Sequence, residues 1–315
     1  MWSRCEQAQR IVRALLLTLA CAAPWAACHA ALPRYCDHAD DLTAEQKDRL
    51  LRFGAIIKTE LERSGASLAL VSRSGLDLSR FGLRYSHAGV SLKASPNTPW
   101  SVRQLYYACD ERRPRLFDQG LAGFLFGTDD PSIGYASVVV LPPPDSATLE
   151  RAALDNARAL RLLNATYSAN AYAWGLTYQN CNQWLIELMA SAWDGSAAPG
   201  GDDDTRAARK RAQQWLAARG YEPTRVVLNN RALVWAGAFV PWLRDDDHPP
   251  DEIAAMRYRI SMPEAIERFV RITVPQATRI EFCHTATRVV IHRGWEPIAD
   301  GCVAAAADTV ITLAD

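Results

Sequence analysis

The chain reads as an α+β protein built from amphipathic helices and a set of short antiparallel strands, with a cysteine opening one helix. Three observations predict this. Several segments carry apolar residues at helical spacing behind polar caps. Between them lie short stretches of alternating or fully apolar pattern, joined by connections too brief for parallel crossovers. Finally, in Tyr178-Gln-Asn-Cys-Asn-Gln-Trp184 a helical pattern begins directly at Cys181.

Residues 1–30 predict a secretory signal. Arg4, Arg10 and Arg13 precede the apolar run 14–23, and small residues around 27–31 offer cleavage sites. The run is short for a membrane span, and no later stretch approaches ~18 apolar residues. An acylated Cys21 or Cys28 is the weaker alternative, because Thr18 and Trp25 stand where an aliphatic residue is expected. The expected location is periplasmic or secreted, with no integral membrane segment after signal removal. About 285 of the 315 residues then remain, enough for one substantial core and a smaller unit. Thirty-five basic residues balance thirty-five acidic ones, so no overall charge excess points to nucleic acid or anionic lipid.

Thr43-Ala-Glu-Gln46 is a capping box opening a helix that carries Leu50, Leu51, Phe53, Ile57 and Leu61 and stops at Ser64-Gly65. Residues 68–72 form a strand, 73–82 a turn-rich connection, and 85–92 a second strand. Alternation there sets Tyr85, His87, Gly89 and Ser91 on one face, with Ser86, Ala88, Val90 and Leu92 on the other. A turn at Asn97-Thr-Pro99 leads to a third strand, 100–108. The glycine-rich segment 117–127 lacks the ending of a phosphate loop and is expected as packed loop or short helix. Residues 136–141 form a buried strand ended by three prolines. A helix capped at Asp145 or Ser146 then runs through Leu149, Ala152, Ala153, Leu160 and Leu163. Asn180 suits a helix N-cap, with Gln183 at the partner position of a capping box.

Residues 195–204, glycine-rich and acidic, form the clearest linker. The expected organisation is therefore a signal at 1–30, a core domain at 31–194, the linker, and a C-terminal α/β cap region at 205–315. That tail holds a basic helix at 205–219, a helix from Pro263, and strands at 278–283, 288–292 and 309–313, a small disulfide-stapled β-rich subdomain.

Export places the cysteines in an oxidising compartment. Cys5, Cys21 and Cys28 leave with the signal, and the remaining five are an odd number. Cys283 and Cys302 flank a hairpin pattern and are natural partners. Cys36 with Cys109 is the second pairing, which leaves Cys181 free. Two readings of Cys181 follow. It is a small residue of the buried face carrying Leu185, Leu188 and Ala192, or a thiolate nucleophile whose pKa the helix N-terminus lowers. A nucleophile needs a base. His87 alone among the mature histidines sits on a core strand amid small residues, where a hydrogen-bonded core histidine is the competing reading. Zinc is disfavoured by the absence of CxxC or HExxH, and no metal or cofactor is expected.

Ser86-His-Ala-Gly-Val90 and, far downstream, Asn180-Cys-Asn-Gln-Trp184 resemble the motifs of the circularly permuted NlpC/P60 branch of the papain-like cysteine hydrolases. That branch includes lecithin–retinol acyltransferase-like proteins, and in it His precedes Cys. The resemblance covers about residues 68–193. It implies a papain-like core with an antiparallel sheet, Cys181 as nucleophile, His87 as base and Gln104, within Trp100-Ser-Val-Arg-Gln-Leu105, as the residue orienting the base. Asn180 stands where the branch has an aromatic, and Gln104 is neutral where a carboxylate would better stabilise imidazolium. The mature chain is also similar to a secreted bacterial family catalogued as a domain of unknown function. The implied activity is cleavage or transfer at amide or ester bonds, with peptidoglycan peptides as substrate class and lipids next. Tyr85, Tyr178, Gln179, Asn180 and Asn182 are expected around the substrate, and the Cys181 N–H in the oxyanion site. Two other classes remain open: a non-catalytic envelope module that binds peptide or lipid, and a disulfide-rich structural protein in which Cys181 only packs.

Overall fold

Thr43 starts the first helix. Its hydroxyl accepts from Gln46 N at 3.2 Å while Gln46 Oε1 takes the Thr43 N–H at 2.8 Å, a complete capping box. The helix, α1 (Ala44–Arg63), ends at Ser64, and Gly65 leaves it with φ +70°. The computed structural model describes residues 42–195 and 205–313. The expected signal, Cys36 and linker residues 196–204 lie outside the described residues.

Eight strands form one antiparallel sheet: β1 (Leu68–Arg73), β2 (His87–Leu92), β3 (Ser101–Ala108), β4 (Arg113–Gln119), β5 (Gly134–Val140), and, after a separate two-stranded pair β6 (Thr224–Val227) and β7 (Arg257–Ile260), β8 (Thr278–His284), β9 (Arg288–Arg293) and β10 (Thr309–Thr312). Their order across the sheet is β10-β9-β8-β5-β1-β2-β3-β4. All six residues of β1 are buried, as expected of a strand covered on both faces.

Helices supply both covers. On one face α1 and α2 (Leu121–Leu125) pack Phe53, Ile57, Phe124 and Leu125 against Ala69, Val71, Val102 and Val138. On the other, α3 (Asp145–Leu154), α4 (Asn156–Arg161), α5 (Cys181–Trp193), α6 (Thr205–Ala218) and, beyond α7 (Arg231–Gly237) and α8 (Pro250–Ala254), α9 (Pro263–Thr273) enclose Leu70, Ala88, Val90, Leu92, Leu105 and Val139. Nearly every residue of α5 is buried, so it is the central helix of that layer. Among the described residues no helix is long and apolar enough to cross a membrane.

Three expectations change. Residues 117–119 end strand β4 and only 121–125 are helical, because Gln119 still pairs with Val102 across the sheet. The single helix expected from 145 to 163 is two, since Asp155 turns extended and its carboxylate accepts the Arg158 N–H at 3.1 Å, starting α4 anew. The C-terminal strands do not form a sheet of their own. β8 pairs with β5 over seven residues and prolongs the main sheet, while the Cys283–Cys302 disulfide fastens the segment after β9 beneath it. Cys109 is disulfide-bonded as well.

Candidate active site

The helix bearing Cys181 is aimed by polar side chains that have no access to water. Asn180 Oδ1 accepts the Gln183 N–H at 2.7 Å, and its amide donates to the Ala169 and Ser261 carbonyls, both at 3.2 Å. Gln183 does not close the capping box. It donates instead to the carbonyls of Tyr172, Ala173 and Gly175, bracing the loop that delivers the chain to α5. Behind that loop Arg209 of α6 bonds Glu187 through Nε at 2.8 Å and Nη2 at 3.1 Å, and reaches the carbonyls of Gly175, Leu176 and Tyr178. Gln179 and Gln213 complete the carboxylate's shell at 2.6 and 2.8 Å. The start of α5 is thus clamped from both sides.

Gly89 decides what His87 meets. A Cβ there would stand 2.5 Å from Val102 Cγ1, 2.8 Å from the Arg103 carbonyl and 3.2 Å from Gln104 Cβ. Only glycine lets β3 come this close. Gln104 then reaches along the sheet, and its Oε1 bonds His87 Nε2. The Gln104 amide nitrogen donates to Gln119 Oε1 at 2.7 Å, which leaves the amide oxygen facing the ring. His87 Nε2 therefore carries the proton, and Nδ1 is the basic nitrogen. The ring lies 5.7 Å from that of Phe124. Arg73, the cross-strand neighbour of His87, places its guanidinium 5.3 Å from the same Phe124 ring.

Thiol and imidazole flank the start of β2. Cys181 packs with Ala88 and Leu105 under α5, while His87 turns to the α1–α2 side with Phe124. The backbone N–H groups of Asn182, Cys181 and Ala88 are close enough to the sulfur to favour its ionised form, and no thiol–imidazole hydrogen bond is formed. Burial pushes the Cys181 thiol from its ordinary 9.0 up to about 12. Those N–H groups and the Arg73 charge pull the other way and lose. The expected activated thiolate is thus corrected: a helix N-terminus lowers a thiol's pKa only while water still reaches it. Burial, reinforced by Arg73 and opposed by Gln104, lowers His87 from 6.5 to about 3. Burial thus favours a neutral thiol on one side of β2 and a neutral imidazole on the other.

The model of a bacterial family described as an uncharacterized protein conserved in bacteria (DUF2145) matches residues 60–270. The chain belongs to this family. No curated protein and no solved structure matches it. The DUF2145 region contains Cys181, His87, Gln104, Gln119, Arg73 and Arg209, crosses the acidic linker, and ends before β8.

Within the DUF2145 region the residues expected around a substrate have other tasks. Tyr85 is buried and its hydroxyl bonds Glu281 and Arg279. Gln179 is fully buried on Glu187, Asn180 is the helix cap, and Asn182 holds the Ser86 carbonyl at 3.2 Å. Asn180 faces inward to hold the Ala169 carbonyl of the loop 167–180, whose backbone needs internal partners. Only Tyr178 keeps solvent contact, with its hydroxyl 3.2 Å from Asp246. Sequence reasoning missed Gln119, Arg73 and Arg209. The Phe117-Asp-Gln-Gly120 stretch held a signal for the first, but nothing local marks the other two, which act across the fold. Among the described residues no group of three or more His, Cys, Asp or Glu side chains is arranged to hold a metal.

Proposed function

We propose that the protein is an exported thiol hydrolase or acyltransferase with a permuted papain-like core, acting on amide or ester bonds of the cell envelope. The observation that carries this reading is the Gln119–Gln104–His87 chain on the strand against which the helix of Cys181 packs. The order of elements also supports it, with the His strand before the Cys helix and that helix packed on the His strand and its neighbour. Reaction begins when imidazole and thiol close to hydrogen-bond reach, ~3 Å. His87 is the first residue of β2 and its ring lies on the sheet face opposite Cys181, so closure has to carry the imidazole around the start of the strand. His87 Nδ1 takes the thiol proton as sulfur attacks the carbonyl carbon. The backbone N–H groups around the sulfur stabilise the oxyanion. Collapse expels the amine or alcohol, which receives the proton from His87, and leaves an acyl thioester that water or a second acceptor relieves. A neutral starting pair makes proton transfer concerted with attack. Peptidoglycan peptides are the first substrate class and lipid esters or amides the second.

A chromogenic acyl ester tests this by intact mass. An acyl adduct confined to Cys181, absent in Cys181→Ala and slowed in His87→Ala, is the expected result. No adduct and no turnover with esters or peptides would sink the enzyme. One observation favours a second reading, a binding module of the same fold: both site groups are held far from the pKa values that suit catalysis. That reading expects peptide or lipid to bind equally well to wild type and Cys181→Ala, with no adduct in either.

A further inference from the structure

Gln104 holds the His87 imidazole on the α1–α2 side of the sheet, while Cys181 lies under α5. A ring carried around the start of β2 loses the Gln104 bond, and its Nε2–H then needs an acceptor on the α5 side. The residue after Cys181 offers one. Asn182 is only 1 % exposed; its Nδ2 donates to the Ser86 carbonyl at 3.2 Å and stands 4.0 Å from Met262 Sδ. Its Oδ1 is buried and has no hydrogen-bond partner among the described residues. A buried amide oxygen without a donor is rare in a folded protein and calls for an account.

The placement of this oxygen narrows the account. Ser86 directly precedes His87, so the bond to its carbonyl sets the Asn182 carboxamide against the peptide that carries the imidazole. Two other buried oxygens nearby are also without partners, on Glu264 and Gln183. The other carboxylate oxygen of Glu264 accepts the N–H groups of Arg84 and Tyr85 at 2.9 and 2.8 Å, so this side chain fixes the chain two and three residues before His87. The Gln183 amide is turned to the carbonyls of Tyr172, Ala173 and Gly175. Asn182 alone of the three adjoins both Cys181 in the helix and His87 through its neighbour's carbonyl.

We infer that Asn182 is the positioning residue of the engaged site: its Oδ1 takes over the His87 Nε2–H from Gln104, which leaves Nδ1 toward the Cys181 thiol. His87 thus has two stations, parked on Gln104 and engaged on Asn182. Gln104 fixes the tautomer at rest and restrains the reaction. This rests on the thiol-hydrolase reading above and adds to it which acceptor serves the base during the chemistry.

The test is the rate of acyl-adduct formation on Cys181 with the chromogenic ester, followed by intact mass. Asn182→Leu should slow it at least about tenfold. The resting His87 Nε2–H resonance should stay unchanged in that variant, because Gln104 still holds the ring. Asn182→Asp keeps an acceptor oxygen and loses the donor to Ser86. It should retain most of the rate, with the acid limb of the rate–pH profile moved to higher pH by the new carboxylate. Gln104→Ala should lose the resonance and form adduct faster than wild type, and it decides the question should Asn182→Leu misfold. With adduct formed by wild type, a slower Gln104→Ala or an unchanged Asn182→Leu overturns the inference and leaves the enzyme reading standing. Equal losses in Asn182→Asp and Asn182→Leu also overturn it, since only the Ser86 bond would then matter. No adduct in wild type overturns both.

Discussion

Cys181 and Glu187 stand on the same buried helix, under two turns apart, and meet opposite treatment. Glu187 is a fully buried carboxylate whose two oxygens accept four bonds, two from Arg209 and one each from Gln179 and Gln213. Every donor in reach is spent on it. Cys181 is buried too, but only nearby backbone N–H groups and the Arg73 charge oppose its desolvation, and they fall short of it. The contrast separates scaffold from chemistry. A buried charge that is completely paired holds the fold in one arrangement, whereas an incompletely served neutral group can still change state.

Truncating each side of the comparison should give the largest difference. Arg209→Ala leaves the Glu187 carboxylate buried without its cation and should cost about 3–5 kcal/mol in urea unfolding. Cys181→Ala should cost no more than about 1 kcal/mol while ending acyl-adduct formation. Equal losses would erase the distinction between scaffold and site.

Gly89→Ala probes the approach that joins His87 to Gln104. The new methyl meets the Arg103 backbone, so about 1–3 kcal/mol of stability should disappear. The His87 Nε2–H resonance, read by proton NMR, should lose its hydrogen-bonded shift. A retained shift would show that Gln104 reaches the ring without the close contact.

A gentler effect comes from pH. His87 titrates near 6.5 unfolded and near 3 folded, so between those values the unfolded chain binds the extra proton and stability falls as pH falls. His87→Gln should flatten that part of the stability–pH curve. The thiol acts at the other end. Its folded value near 12 lies above the ordinary 9.0, so stability falls as pH rises from 9 toward 12, and Cys181→Ala should remove that slope. Iodoacetamide labelling of Cys181 should remain slow at neutral pH and climb throughout the alkaline range. Rapid labelling at pH 7 would show that the site opens in solution.

The smallest change is expected for Tyr178→Phe, which removes one half-exposed bond to Asp246 and should alter unfolding by roughly 0.5–1 kcal/mol. Any larger loss would place Tyr178 with the scaffold.

Much of the fold was legible because local patterns carried it. The Thr43 box, the Asn180 cap, Pro263 at a helix start, and the strands at 68–73, 87–92 and 101–108 all rest on side chains a few residues apart. His87 and Cys181 were legible for the same reason, since small residues around one and a cap before the other are local marks. The break at Asp155 was less so, for the apolar spacing runs on through it and only the carboxylate's backbone bond reveals the new start.

By itself the sequence determined the α+β class, the helix that Cys181 opens, and the odd number of cysteines beyond residue 30. Only the tertiary structure decided that β8–β10 join the main sheet, that Arg209 clamps the loop before α5, that Gln119 holds Gln104, and that the thiol is neutral. The physical reason is common to all four. Strand pairing, a buried ion pair, an amide relay and desolvation depend on groups 15 to 140 or more residues apart being brought into contact, as Arg279 and Ser137 are at a separation of 142. No local pattern encodes such contacts, because the energy that selects them exists only once the core has closed.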